Sequence, residues 1–323
     1  MREAIQRIKR VLPDKENPLA PMYELIRVSD GYMHATDGNL FIAVPVSSPF
    51  NFTAPGKDLV RAVLFGDNPE IELTGEFLIF KQGRSRIKIP IVSDEKFPLL
   101  EPPPENMRPW TEGFLQALRK IRPFISNNAQ HYWAMGAYAH EKGLAATNNV
   151  VLVDMDFDNP PLSGLLPFWL IDTIERDSPP DTCFDDATKV YLKWKDGTWL
   201  RSLRLVDEFP AQPIAMLVQM RARQDPEWEI SDEWRQAYKK SLEFAGNEIV
   251  VTPDAIIAVG PASEITTKIE SRCDGETFWD PRYLGPLLDV ATHWDISEYP
   301  KPTYFIGDGL RGICVGRIRG RNT

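Results

Sequence analysis

The stretch "HATDGNLFIAV", residues 34–44, reads as a β-turn between two strands, and its closest echo lies far downstream in "LAATNNVVLVDM", residues 144–155. Thr36 and Thr147 are 111 residues apart, and each is followed by Asp/Asn, Gly/Asn and an apolar run. Behind the first phrase comes "FTAPGKDLVRAVLFG" (52–66), and behind the second "LLPFWLIDTIERD" (165–177), with Pro167 lying 112 residues after Pro55. Proline in a first helical turn forfeits no hydrogen bond, so both read as helix starts. Next come "EIELTGEFLIFKQGRSRIKIPIV" (70–92) and "KVYLKWKDGTWLRSLRLV" (189–206), alternating segments broken at turn residues, which predict strand meanders. Each closes on a Phe-Pro pair, Phe97-Pro98 and Phe209-Pro210, again 112 residues apart. Four landmarks in one order at a nearly constant offset predict an internal repeat.

A third, fainter copy occupies the C-terminal part. "NEIVVTPDAIIAVGP" (247–261) predicts two strands, "FWDPRYLGPLLDVATHW" (278–294) a Pro-started helix, and "TYFIGDGLRGICVGRI" (303–318) a terminal hairpin. This copy has lost the Thr-Asp-Gly phrase and the Phe-Pro ending. Each unit opens with an amphipathic helix: "REAIQRIKRVL" (2–12), "TEGFLQALRKIR" (111–122) and "SDEWRQAYKKSLEFAG" (231–246), the last with Ser231 or Asp232 as N-cap and Gly246 as stop. Pro-containing linkers are expected at 101–106 and roughly 212–226, giving domains at 1–105, 106–216 and 217–323. The fold class is α+β: three tandem domains, each with two helices and six to eight short strands.

The composition fits this organisation. A chain of 323 residues with 43% hydrophobic and 26% charged residues suits a globular protein of two or three domains. No apolar run is long enough for a membrane span, and the charged N-terminus lacks a signal peptide's apolar core, so the expected compartment is the cytoplasm. Cys183, Cys273 and Cys314 are scattered and odd in number, which points to reduced thiols. The net charge of -9 weighs against nucleic acid only until its distribution is considered. On a helical wheel, Ala4, Ile5, Ile8, Val11 and Leu12 of the first opening helix oppose Arg2, Arg7, Lys9 and Arg10. The second sets Phe114, Leu118 and Ile121 against Arg119, Lys120 and Arg122. The third sets Trp234, Tyr238, Leu242 and Ala245 against Arg235, Lys239 and Lys240, with Asp232, Glu233 and Glu243 cancelling charge. One such helix is an ordinary solvated face; its recurrence suggests a basic surface for a phosphate backbone, contacted without sequence readout.

The ordered set "ATDGNLFIAV", "GRSRIKIPIVSDEKFP", "LRLVDEFP" and "FWDPRYLGPLLDV" resembles the bacterial-type DNA sliding clamp, the beta subunit of DNA polymerase III, across essentially the whole chain. That resemblance implies a head-to-tail homodimeric ring with sheets outside and basic helices inside. Such a ring encircles duplex DNA and serves a DNA polymerase and a clamp loader through a short peptide motif, as a processivity factor without cofactor or metal. It assigns DNA contact to Arg7, Lys9, Arg10, Arg119, Lys120, Arg122, Asn128, Tyr132, Trp133, Arg235 and Lys239. A partner-peptide pocket is implied at Thr147, Asn149, Val150, Val151, Leu152, Leu217, Met220, Ile318 and Arg319. The subunit boundary is implied at Arg84, Arg86, Ile87, Ile89, Tyr238 and Leu242. The chain departs from the family where Asn149-Val150-Val151 replaces Gly-His-Arg and where "GRIRGRNT" replaces a Met-Pro-Met-Arg ending. It also starts almost directly in its first helix, which leaves the first domain short of the family's opening strand. The shorter repeats and divergent pocket suggest a phage origin.

Two signals point elsewhere. "GDGLRG" (307–312) fits Gly-x-Gly-x-x-Gly, but the strand-like "ICVGRI" follows where a dinucleotide site needs a helix, so a hairpin turn is expected. Asp154, Asp156 and Asp158 alternate on one strand and suggest a rival of another class, a metal-dependent nuclease or phosphoesterase, although the EF-hand pattern fails. His34, His131, His140 and His293 show no ligand spacing. A further alternative retains the fold as a regulatory platform for transcription or repair.

Overall fold

The computed structural model describes residues 1–13, 20–66, 69–98, 101–205 and 207–318. Its secondary structure follows the repeat. The first copy runs α1 (Arg2–Ile8), β1 (Leu25–Ser29), β2 (Tyr32–Thr36), β3 (Leu40–Pro45), β4 (Phe52–Pro55), α2 (Gly56–Leu64). Its meander follows as β5 (Glu70–Thr74), β6 (Phe77–Gln82) and β7 (Ser85–Pro90). The second copy begins with the short β8 (Arg108–Pro109), then α3 (Phe114–Ile121), β9 (Gly136–His140), β10 (Gly143–Thr147) and β11 (Val151–Asp156). It continues with β12 (Gly164–Pro167), α4 (Phe168–Ile174), β13 (Thr182–Asp185), β14 (Lys189–Lys193) and β15 (Trp199–Leu203). The third comprises α5 (Ala211–Arg221), α6 (Asp232–Leu242), β16 (Ile249–Val251), β17 (Ala255–Val259), β18 (Glu264–Lys268) and β19 (Thr277–Trp279). It ends in α7 (Pro281–Val290), β20 (Ala291–Asp295), β21 (Thr303–Gly307) and β22 (Leu310–Cys314).

The repeated phrase has one chemistry in both places. Asp37 Oδ1 accepts from the amides of Asn39 and Leu40 at 2.8 and 2.7 Å, and the Gly38 amide donates to Thr36 Oγ1 at 3.1 Å. Asn148 Oδ1 accepts from Val150 and Val151 at 3.1 and 2.8 Å, and the Asn149 amide donates to Thr147 Oγ1 at 3.1 Å. Both turns need a left-handed residue, supplied by Gly38 (φ 97°) and Asn149 (φ 72°). The side-chain bonds replace backbone partners that a tight turn leaves without one, which is why the residue types recur.

The structure divides into two compact units, residues 1–112 with 169–204, and residues 113–168 with 205–323. In the first, an eight-stranded sheet runs β4-β1-β2-β3-β15-β14-β13-β8, so the strands of the first and second copies join where β3 pairs antiparallel with β15. The three-stranded β5-β6-β7 sheet stands beside it. Its core centres on Phe41, stacked on Trp199 with centroids 5.2 Å apart and edge-on to Phe97. In the second unit a seven-stranded sheet, β12-β9-β10-β11-β22-β21-β20, joins copies two and three where β11 pairs with β22. A four-stranded sheet, β18-β17-β16-β19, completes it. Trp234, Trp279 and Trp294 are fully buried there, with Trp279 and Trp294 in T-shaped contact at 4.8 Å. The three cysteines are free and buried.

Two expectations are corrected. The first helix ends at Ile8, not residue 12; Lys9 and Arg10 lie in a turn, although Val11 is still buried. The stretch expected as an irregular linker at 212–226 contains α5, because Pro213 falls within its first turn, where a missing N–H breaks no helical bond. Ser231 is the N-cap of α6, its Oγ accepting from the Trp234 amide at 3.1 Å. The "GDGLRG" stretch is the β21–β22 hairpin, with Gly309 at φ 67°.

Candidate functional site

The second copy of the phrase borders a cleft of about 240 Å3 lined by Trp133, Thr147, Asn149, Val150, Val151 and Leu152 on one side. Pro210, Gln212, Pro213 and Met216 of the α5 region, with Pro302, Ile313 and Val315, form the rest. No side chain of this lining is charged. Trp133 is fixed by stacking on His131 at 5.4 Å and by an edge contact with Phe209 at 6.1 Å. Phe209 in turn stacks on Tyr138 at 4.8 Å, which sets the Phe-Pro ending as a wall of the cleft. An apolar cleft with a few amides and a hydroxyl at its rim suits an extended peptide with apolar anchors.

In the first copy of the phrase the Tyr23 ring packs against the turn. A Cβ on Gly38 would meet the Tyr23 ring at 2.9 Å. The residue equivalent to Tyr23, 111 positions on, is Ala134, which has no ring to place there. Arg201 also lies over Phe41 at 5.5 Å, and its guanidinium donates to Glu101 at 3.3 Å.

The far end of α5 is pinned. Arg221 Nε donates to Asp154 Oδ2 at 2.5 Å and Nη2 to Oδ1 at 3.1 Å, while His140 Nε2 lies 3.2 Å from the same carboxylate. Burial alone would raise the Asp154 carboxyl; the bonds from His140 and Arg221 more than offset it and hold it below the usual range. The Tyr304 hydroxyl donates to the Met220 carbonyl at 3.3 Å and completes the attachment.

Of the implied pocket residues, Thr147, Asn149, Val150, Val151 and Leu152 line the cleft, whereas Leu217 and Met220 are buried behind it in the core that also holds Leu165 and Tyr304. They are on the inner face of α5, so they position the wall instead of touching an occupant. Ile318 is exposed and outside the lining, and Arg319 lies outside the described residues. Pro210, Gln212, Pro213 and Met216 went unread because the two prolines masked a helix; the recurring Phe-Pro pair was the signal that marks Pro210. Trp133 belongs to the cleft, while its neighbour Tyr132 is exposed, as is Asn128, whose amide donates to Ser126 Oγ.

The basic helices are less free than a wheel suggests. Arg7 pairs with Asp196 at 2.6 Å, Arg10 with Asp177 at 2.7 Å and Lys120 with Asp308 at 2.7 Å. Arg122 donates to Asn127 Oδ1 at 2.6 Å and to the Ile125 carbonyl. Arg235 turns inward and donates to the Leu288 and Ala291 carbonyls, capping α7, so it departs from the expected phosphate-facing role. Lys9, Arg119 and Lys239 are exposed. Among the boundary residues, Arg84 and Arg86 are exposed and Ile87 half-buried. Ile89 and Tyr238 are buried within the chain, Ile89 opposite Leu78 and Tyr238 stacked on Trp234, which removes both from direct contact with another subunit.

The aspartate cluster does not form one face. Asp154 is engaged as above, Asp156 pairs with Arg311 at 2.5 Å and Arg221 at 3.4 Å, and Asp158 lies beyond the end of β11. A cation there would have to displace two arginines. Among the described residues no group of three His, Cys, Asp or Glu side chains is placed to hold a metal ion, and no helix is long and apolar enough to cross a membrane.

Tandem copies joined by continuous sheets, with an uncharged cleft beside the second joint, define the class: a three-repeat clamp fold. The particular architecture is that of the bacterial DNA polymerase III beta sliding clamp. The Caulobacter crescentus pol III beta structure matches with a TM-score of 0.77 at 18% identity over 98% of this chain and 97% of that one. The DNA polymerase III subunit beta of Pseudomonas aeruginosa matches at 0.75 and 14%, over 98% of this chain and 97% of that one. The Helicobacter pylori beta clamp bound to a DNA ligase peptide matches at 0.73 and 14%, with the same coverage. At the level of sequence, no family model and no curated protein matches.

Proposed function

We propose that the protein is a DNA polymerase processivity factor: a non-enzymatic sliding clamp whose two copies close a ring around duplex DNA. Its three domains are 1–105, 106–216 and 217–323, and its compartment is the cytoplasm. The observation that carries this reading is a pair of open sheet edges. In both internal joints the last strand of one copy's meander, β15 or β22, pairs with the strand after the preceding copy's turn, β3 or β11. The repeat makes β7 the counterpart of β15 and β22, and β18 the counterpart of β3 and β11. Within their sheets β7 and β18 are both edge strands. A second copy supplies each missing partner in a head-to-tail arrangement, and such an arrangement closes when the rotation allows.

Function is then topological, with sequence-independent and screened contact to phosphates from Lys9, Arg119, Lys239 and the other cations of the opening helices. The uncharged cleft beside β11 takes an extended apolar peptide from a polymerase or a clamp loader, which raises the partner's local concentration on DNA. A regulatory platform for transcription or repair would use the same ring and cleft with a different peptide.

The test is retention. After loading, the protein is expected to stay on nicked circular DNA and to leave it upon linearisation. Equal retention on both forms would sink the reading, as would a particle that remains monomeric at micromolar concentration.

A further inference from the structure

We infer that the first internal joint, β3·β15, carries a second docking site, selective for an extended partner peptide with an apolar anchor and an acidic residue, whose carboxylate replaces Glu101 on Lys189 and Arg201. This rests on the reading of the uncharged cleft as a peptide site and extends it to the other joint, where the chemistry is charged.

The repeat places this site in register with the cleft. Phe41 pairs with Arg201 in the first joint as Leu152 pairs with Ile313 in the second. One strand further on, Tyr191 pairs with Arg201 and Tyr304 with Ile313, so Lys189, two residues before Tyr191, is the counterpart of Pro302. Glu101 and Pro213 each stand four residues after the phenylalanine of a Phe-Pro pair. The second joint therefore lines its cleft with Pro213, Pro302 and Ile313 where the first joint has Glu101, Lys189 and Arg201.

Those three residues meet on a single atom. Lys189 Nζ, Arg201 Nη1 at 3.3 Å and the Tyr191 hydroxyl at 3.4 Å all donate to Glu101 Oε2. Two cations thus share one carboxylate, and among the described residues neither forms a second ion pair. Asp186 acts on Lys189 through its field, but its Oδ1 accepts from the amides of Thr188 and Lys189 instead. The Glu101 side chain is 53% exposed. An ion pair so open to water contributes little, so a carboxylate from a partner can take its place. Charge complementarity decides what that partner must bring: an acid, which Lys189 and Arg201 bind through charge-assisted bonds.

The apolar half lies across Phe41. Phe97 meets that ring edge-on with centroids 6.3 Å apart, and the Arg201 guanidinium lies over the same ring at 5.5 Å. Phe97 also borders a pocket of about 440 Å3 lined by Met22, Leu25, Val92 and Pro98, with Glu95 and Lys96, of opposite sign, at its rim. Met22 and Pro98 are the counterparts of Trp133 and Pro210, which line the cleft of the second joint. Phe97 and Arg201 are no more than about 12 Å apart, a distance that about four extended residues span. One extended segment can therefore seat an apolar side chain in the pocket and a carboxylate on the cations.

Calorimetry on the full chain tests the site, with the blocked pentapeptide Leu-Ala-Pro-Ala-Glu as probe and its glutamine-ended form as control. The unmodified chain is expected to bind the acidic peptide weakly, because Glu101 competes from within. Glu101→Gln withdraws that competitor and is expected to tighten binding about fivefold. Adding Arg201→Ile, the residue the second joint carries at this position, is expected to weaken it again by about tenfold. Lys189→Met should act in the same direction, Arg201→Lys should retain binding, and the glutamine peptide should bind none of them. Melting temperatures establish that each variant is folded. Equal affinity of Glu101→Gln with and without Arg201→Ile, or equal binding of the two peptides, overturns the site. Inorganic phosphate that displaces the peptide at equal concentration makes this a plain anion site and overturns the peptide reading. Met216→Lys, in the cleft, should leave the pentapeptide's affinity unchanged while weakening apolar peptides. Loss of both moves the pentapeptide to the cleft and overturns the second site, whereas apolar peptides that bind no form of the chain overturn the cleft alone.

Discussion

Arg221 closes the last turn of α5 onto Asp154, a carboxylate with 0% of its side chain exposed, through two bonds of 2.5 and 3.1 Å. Removing the arginine strands a buried charge, which typically costs about 3–5 kcal/mol. Arg221→Met is therefore expected to lower unfolding stability by about 3 kcal/mol, the lower part of that range because Arg221 is partly exposed. Asp154→Asn should cost less. Urea unfolding of the three proteins checks the order. Because the N-terminal half of α5 lines the cleft, Arg221→Met should also weaken peptide binding, which calorimetry reads separately.

The cleft itself is tested at Met216, half-buried in its wall. Met216→Lys sets a charge in an uncharged lining. It is expected to reduce affinity for apolar-anchored peptides at least tenfold while the melting temperature moves little, since the helix's buried residues are Leu217 and Met220. The ligase peptide bound by the Helicobacter pylori clamp is one probe, and a library of extended peptides with two apolar side chains is another. Unchanged affinity across that library would remove the cleft from partner binding.

Substitutions at the left-handed positions of the two turns should act in opposite directions. Gly38→Ala puts a Cβ on a left-handed residue and against the Tyr23 ring, so a loss of roughly 1–2 kcal/mol or more is expected. Asn149→Gly relieves a left-handed conformation at φ 72° and should be neutral or slightly stabilising. Chemical denaturation of both variants decides it.

His34 predicts an acid-sensitive first unit. Burial, with the Arg27 charge adding to it, lowers its pKa to about 4 from the ordinary 6.5, against the Ser29 backbone and Asp30. The unfolded chain takes up a proton that the folded one refuses between those values, so stability rises with pH across the window. The contribution is fully present above pH 6.5 and is lost as pH falls towards 4, by roughly 3 kcal/mol in all. His34→Phe should flatten that part of the stability–pH curve, measured by urea unfolding from pH 7 to 4.

Salt dependence reads the masked helices. Asp308→Asn and Asp196→Asn remove the charged partners of Lys120 and Arg7, which keep their bonds to the Asp308 carbonyl and to Thr198 Oγ1. Each is expected to strengthen non-specific duplex binding and to steepen the slope of log affinity against log salt by up to about one. Fluorescence anisotropy at several salt concentrations measures both.

Much of this fold was legible because its signals are local. The Thr36 and Thr147 phrases recur for a bonding reason that depends on residue type within a few positions. Pro55 and Pro167, just before α2 and α4, and Pro281, the first residue of α7, start helices for reasons equally local. The α5 helix was not legible, since Pro210 and Pro213 carry the same mark in a linker as in a first turn. Nor were the fates of Arg235 and Lys120 readable, because their partners Leu288 and Asp308 lie 53 and 188 residues away.

Periodicity and repetition determined that the chain is three copies of one α+β unit and which strands correspond. They could not determine which copy of the phrase borders the uncharged cleft, because that depends on the distant side chains packed around each turn. They also could not separate Ile87 from Ile89 at the edge of β7. Both are apolar on the same strand face, and only the packing of the sheet buries one and leaves the other for a partner.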